Sequence, residues 1–179
     1  MRKKLILAIP AIALVFAMTV LEACSSSPAA APVVPDDQSA VVYFFGSKND
    51  GANVWDGETP IGDFAEGPFI GNLAWKTTPG EHYFMVNTFN WVAMRADLQA
   101  NKAYYIKLET IPNPVPFSKD FVAMRIMEPT AGEAWVKQAK AFSFTDEWRA
   151  KYAQGKRFQQ LKEHLQKARN DKSMEITLR

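Results

Sequence analysis

Between Trp91 and Met127 apolar and polar side chains alternate with period two. In WVAMRADL, Val92, Met94, Ala96 and Leu98 share one face and Arg95 and Asp97 the other. In AYYIKLET, Tyr104, Ile106 and Leu108 oppose Lys107 and Glu109, and in FVAMRIM, Val122, Met124 and Ile126 oppose Arg125. Alternation of this kind predicts half-buried strands whose charged faces meet water, and therefore antiparallel sheets with one wet surface. Upstream, AVVYFF (Ala40 to Phe45), Asn53-Val54-Trp55, Pro60-Ile61-Gly62, the run Phe69 to Thr77 and HYFMVNTF (His82 to Phe89) read as further strands. Their β-branched and aromatic residues supply the signal, and Asn49-Asp50-Gly51, Asp56-Gly57 and Pro79-Gly80 mark the turns between them. The segment IPNPVPF, Ile111 to Phe117, carries prolines that donate no ladder hydrogen bond, so it is expected as a loop or an edge crossing.

Beyond Pro129 the period lengthens. TAGEAWVKQAK reads as a short helix, and a longer one begins near Thr145, a side chain suited to capping, with Asp146 and Glu147 at its positive end. Trp148, Tyr152, Phe158, Leu161 and Leu165 recur at intervals near three and four and form one apolar stripe, which Gly155 and Lys156-Arg157 interrupt with a possible kink. The closing MEITLR is short-strand material. Three readings of this tail are open: the stripe packs on the sandwich, it docks a protein partner, or it lies on a membrane surface. The fold expected from the whole pattern is mainly β, an antiparallel Ig/prealbumin-like β-sandwich of about seven strands with a C-terminal helical extension. The expected boundaries are 40–128 for the sandwich and 129–179 for the helices and terminal strand.

The first residues follow neither period. MRKKLILAIPAIALVFAMTVLEAC places Arg2, Lys3 and Lys4 before a long apolar run and Ala23 before the single cysteine, Cys24. This is the layout of a secretory signal over residues 1–23, and an uncleaved anchor is the other reading. Leu21-Glu22-Ala23-Cys24 resembles the lipobox of bacterial lipoproteins, in which the cysteine takes a diacylglycerol and becomes the mature N-terminus. Glu22 departs from that pattern, standing where the family prefers a small or hydroxyl residue. The resemblance implies lipidation of Cys24 and, with Ser25 rather than Asp following, an outer-membrane lipoprotein facing the periplasm of a Gram-negative envelope. Residues 24–39 then form a lipidated cysteine and a linker rich in Pro, Ala and Ser, with no aromatic side chain to start a core.

The order VVYFF, VWDGETPIGDF, TPGEHYFMV, LQANKAYYIKL, FVAMRIME resembles small bacterial envelope lipoproteins whose conserved domain is related in pattern to PEGA-type sandwich modules. Asp56-Gly57, Ile61-Gly62, Pro79-Gly80-Glu81-His82 and Lys102 before Tyr104-Tyr105 carry it. It implies a sandwich fold and no catalytic residue.

Composition narrows the function classes. Apolar residues make up 47% and charged ones 22%, as in ordinary globular chains, while 12% aromatic residues suit a β protein. Without residues 1–23 basic and acidic side chains balance at 18 each, so the field expected of a nucleic-acid binder is missing. Residues 24–144 are mildly acidic and 145–179 mildly basic. Two histidines, His82 and His164, stand far apart in the chain, and no metal-ligand, Walker, nucleophile-elbow or dinucleotide pattern occurs. No cofactor, metal or catalytic residue is therefore expected. Asp50, Asp56, Glu58, Asp63 and Glu66 read as turn and surface carboxylates, with calcium as the other possibility.

The residues left as partner-binding candidates are Trp91 and Arg95, on one strand face, and Trp148, Lys156 and Arg157, in the basic helical tail. The expectation is a lipid-anchored, non-catalytic binding or scaffold module in an envelope protein assembly, bound to the membrane through Cys24. The alternative is a module that binds peptidoglycan or another glycan.

Overall fold

The computed structural model describes residues 32–116 and 118–171 and the backbone of 176–178. Cys24, residues 1–23 and the linker before Pro32 lie outside the described residues. Eight strands follow one another in the sandwich segment: β1 (Ala40–Ser47), β2 (Asn53–Asp56), β3 (Thr59–Asp63), β4 (Ile70–Thr77), β5 (Gly80–Asn87), β6 (Trp91–Leu98), β7 (Ala103–Ile111) and β8 (Phe121–Ile126). Helix α1 (Pro129–Gln138), strand β9 (Lys140–Phe142), helices α2 (Asp146–Tyr152) and α3 (Lys156–Asn170), and strand β10 (Ile176–Leu178) complete the chain.

The strands form two sheets of five, ordered β8-β7-β1-β4-β9 and β10-β6-β5-β2-β3. Turn chemistry sets the local connections. Gly57, at φ 55°, closes the β2–β3 hairpin, and Gly80, at φ 119°, opens β5 directly after Pro79. The proline-rich segment after Ile111 is a loop between β7 and β8, as its missing donors require.

The sheets pack face to face over a core drawn from the expected alternation. Val42 and Phe44 of β1, Phe84 and Val86 of β5, Met94, Ala96 and Leu98 of β6, and Ile106 and Leu108 of β7 all lie in it. Phe44 and Phe84 meet edge to face across the sheets at 5.3 Å between centroids.

The outer faces depart from expectation, because helices cover both of them. On the first sheet Val41, Tyr43, Phe45 and Tyr105 pack against Trp135 and Val136 of α1. The approach is so close that a Cβ on Gly132 would fall 2.0 Å from the Tyr105 ring. On the second sheet Trp55, Met85 and Ala93 pack against Leu161, Leu165 and Ala168 of α3. VVYFF and YFMV are unbroken apolar runs, the signature of strands buried on both faces, and the charged alternation holds only toward the strand ends.

Pairing is mixed. β1–β4, β2–β3, β2–β5, β5–β6 and β7–β8 are antiparallel, whereas β1–β7, β4–β9 and β6–β10 are parallel. The antiparallel sheets expected from the wet alternation are thus corrected in part. β1 is flanked by a parallel and an antiparallel neighbour, and the tail supplies an edge strand to each sheet. The apolar stripe expected in the tail divides at Gly155, which caps α3 with extended backbone, while Thr145 caps α2 by accepting from the Trp148 amide at 3.2 Å.

Candidate functional site

Helices α2 and α3 meet at Gly155, and the corner between them and the loop after β3 holds a cleft of about 450 Å³. Glu66, Trp148, Lys151, Tyr152, Lys156 and Arg157 line it. Three of the residues singled out from sequence, Trp148, Lys156 and Arg157, therefore come together here.

The wall of the cleft is a relay of rings. Trp148 meets Phe144 at 4.1 Å and stacks on Tyr152 at 4.4 Å. Tyr152 in turn meets the fully buried Trp55 at 5.4 Å. The spacing of four residues from Trp148 to Tyr152 places them on one helix face, which is why they stack. The Trp148 indole N–H donates to Glu66 Oε2 at 3.0 Å, tying α2 to the loop after β3.

Below the rings sits a polar network. Tyr152 donates its hydroxyl hydrogen to Asp63 Oδ2 at 3.1 Å and accepts from Arg157 Nη1 at 3.0 Å. The same guanidinium nitrogen donates to Asn53 Oδ1 at 2.8 Å. Asp63 also accepts the Ala65 amide at 2.8 Å, capping the 3-10 turn Phe64–Glu66. Burial pushes the Asp63 carboxyl up from its ordinary range, partly offset by these donors. Burial and the Asp63 charge push the Tyr152 hydroxyl up to about 12, so Tyr152 remains a neutral donor at physiological pH. Lys151 and Lys156, by contrast, are exposed at the cleft mouth.

Trp91 and Arg95 lie on the outer face of the second sheet and do not line the cleft. Trp91 is half-buried and stacks on His164 of α3 at 5.4 Å. Arg95 pairs with Glu81 of β5, its Nε 2.7 Å from Oε2. Partial burial, with Lys167 nearby, holds the His164 imidazole below its ordinary value.

Of the five acidic residues in the turns, Asp56 is the one met by three side chains. Its carboxylate accepts from Trp75 Nε1 at 2.9 Å and from Thr77 Oγ1 at 3.4 Å, and it meets His82 Nδ1 at 2.9 Å. His82 Nε2 lies 2.9 Å from the Thr78 carbonyl. Both ring nitrogens are therefore engaged by the fold, and the Asp56 hydrogen bond raises the imidazole above its ordinary value. Among the described residues no group of acidic, His or Cys side chains is arranged to hold a metal ion.

Sequence reasoning missed Tyr152, Asp63, Asn53 and Glu66 as parts of one site. The i, i+4 relation of Trp148 and Tyr152 was a usable signal. The link from Glu66 to Trp148 spans 82 residues and had none.

No protein-family profile, curated protein or solved structure matches the chain. What fold and site define is a two-sheet sandwich with helices on both outer faces and a cleft, edged by lysines, at a helix corner.

Proposed function

We propose that the protein is a lipid-anchored, non-catalytic binding module of the bacterial cell envelope. It is held at the outer membrane through Cys24 and takes an acidic segment of an envelope protein in the α2–α3 cleft. The anchor rests on the Leu21-Glu22-Ala23-Cys24 resemblance and on the linker composition of residues 24–39. The PEGA-like order of strands and turns adds support for an envelope module.

The single observation that carries the binding assignment is the cleft. A wall of interlocked rings fixes its shape, Arg157 is held by Asn53 and Tyr152, and Lys151 and Lys156 remain free to meet carboxylates. Trp148 already stacks on Tyr152 and meets Phe144, which favours ionic and hydrogen-bonded recognition over stacking on a sugar.

Two experiments test the reading. Cys24→Ser is expected to abolish acyl labelling of the protein; equal labelling of both forms would end the anchor assignment. Crosslinking in intact cells is expected to trap one envelope protein, with the yield falling about tenfold in Lys151→Glu/Lys156→Glu as rim charges turn repulsive. An unchanged yield would remove the cleft from recognition.

A further inference from the structure

Six of the eight large apolar side chains left exposed among the described residues occur at one end of the sandwich: Phe69, Ile70, Phe89, Ile111, Val115 and Phe121, each 45% to 65% exposed. Strand register places them there. Ile70 pairs with Ser47 at the end of β1, Ile111 pairs with Phe121 where β7 gives way to β8, and Phe89 lies in the β5–β6 turn closed by Asn87 and Trp91. Hydrogen bonds fix the separate tips relative to one another. The Lys48 amide donates to the Phe69 carbonyl at 3.0 Å, Thr110 Oγ1 donates to Asp50 Oδ1 at 2.5 Å, and Asn90 exchanges two bonds with the Val122 backbone across the sheets.

Lysines and carboxylates both stand at this end, and they differ in their partners. Asp50 is taken up by Thr110 and the Ser47 amide, and Asp120 by the Asn113 amide. Lys48 and Lys119 are exposed and meet no carboxylate among the described residues, and the Lys119 ammonium stands 4.6 Å from the Phe89 ring centroid.

We propose that this end is a lipid-contacting surface that seats apolar loop tips in the boundary of an anionic bilayer while Lys48 and Lys119 meet headgroup phosphates. Apolar side chains carried on separate tips, with lysines among them, match a fluid interface that accepts each tip individually. A protein partner or a second copy needs instead a continuous, shape-complementary patch of about 800 Å² per side. The contact is independent of the α2–α3 cleft and of lipidation at Cys24, and either can fail without the other.

The test uses the full chain with Cys24→Ser and a polarity-sensitive fluorophore at Ser118→Cys, or at Thr78→Cys at the opposite end. Each is reconstituted in vesicles of phosphatidylethanolamine with phosphatidylglycerol, with and without brominated acyl chains. The expected result is a blue-shifted Ser118 probe quenched by the bromines and a Thr78 probe that is neither. Phe69→Ser/Phe89→Ser/Phe121→Ser is expected to bring the Ser118 probe to the Thr78 level at an unchanged melting temperature. Lys48→Glu/Lys119→Glu is expected to weaken quenching in anionic vesicles and leave it unaltered in phosphatidylcholine. An unquenched Ser118 probe would overturn the proposal. So would a blue shift that appears without lipid and grows with protein concentration, since that marks a second copy as the occupant.

Discussion

The two ends of the sandwich solve the problem of strand termini in opposite ways. At the end where β1 begins, polar groups are knitted together. Asp56 gathers Trp75, Thr77 and His82, Asp36 accepts from Ser39 and pairs with Lys76 at 2.7 Å, and the Asn101 amide bonds to the Asp36 and Ser39 carbonyls. The Lys76 and Ser39 hydrogen bonds hold the Asp36 carboxyl down at about 2. At the other end backbone hydrogen bonds such as Lys48 to Phe69 and Thr88 to Asn90 also close the turns, yet phenylalanines and isoleucines face outward. Turn satisfaction alone therefore does not account for the apolar tips. The chain closes one end with side chains and leaves the other to present them.

The sharpest way to break the comparison is Asp56→Ala. It strips the acceptor from a partly buried indole N–H and from the imidazole together, and is expected to cost about 2–3 kcal/mol. Urea unfolding measures it, and a change under about 0.5 kcal/mol would show the network to be incidental. Gly80→Ala is next. An alanine at φ 119° is strained whatever space surrounds it, so a loss of about 1–3 kcal/mol is expected in the same assay.

Acidity probes the polar end through His82, read as the difference between the wild type and a His82 variant that keeps His164. The folded-state pKa of His82 lies above its ordinary 6.5, so the native state binds the proton more tightly than the unfolded chain. The stabilisation is complete below about pH 6.5 and is lost as pH rises through the raised value. Melting temperature followed upward from pH 6 should decline in the wild type, and His82→Gln should flatten that decline; parallel curves would contradict the assignment. Tyr152→Phe, which removes a donor from Asp63 and an acceptor from Arg157, is expected to cost about 1 kcal/mol. The smallest effect belongs to the apolar end. Phe89→Ser or Phe69→Ser should change stability by less than about 0.5 kcal/mol, and a loss above 2 kcal/mol in either would mean that these rings pack rather than present themselves.

Much of the fold was legible before any coordinates. Strands β1 to β8 fall on the runs of β-branched and aromatic residues, Asp56-Gly57 and Pro79-Gly80 mark real turns, and the tail forms the expected helices. Less legible were the outer faces. Tyr43, Phe45 and Met85 break the alternation at the sheet centres, and nothing local says that α1 and α3 will cover them. Within the site, Trp148, Lys156 and Arg157 were visible as a basic, aromatic stretch. Asp63, Asn53 and Glu66 were not, because they arrive from strands and turns about ninety residues upstream by long-range pairing that local pattern does not encode.

By itself the sequence determined the period of each segment, the turns that separate them and the lipobox-like context of Cys24, since these depend on residues within a few positions of one another. The tertiary structure alone decided that β1 pairs in parallel with β7, that the tail lends a strand to each sheet, and that α2 and α3 enclose a cleft. It also decided that the apolar loop tips share one end. Those outcomes follow from burying several faces at once, a balance of surface and chain entropy summed over the whole molecule rather than over any window of it.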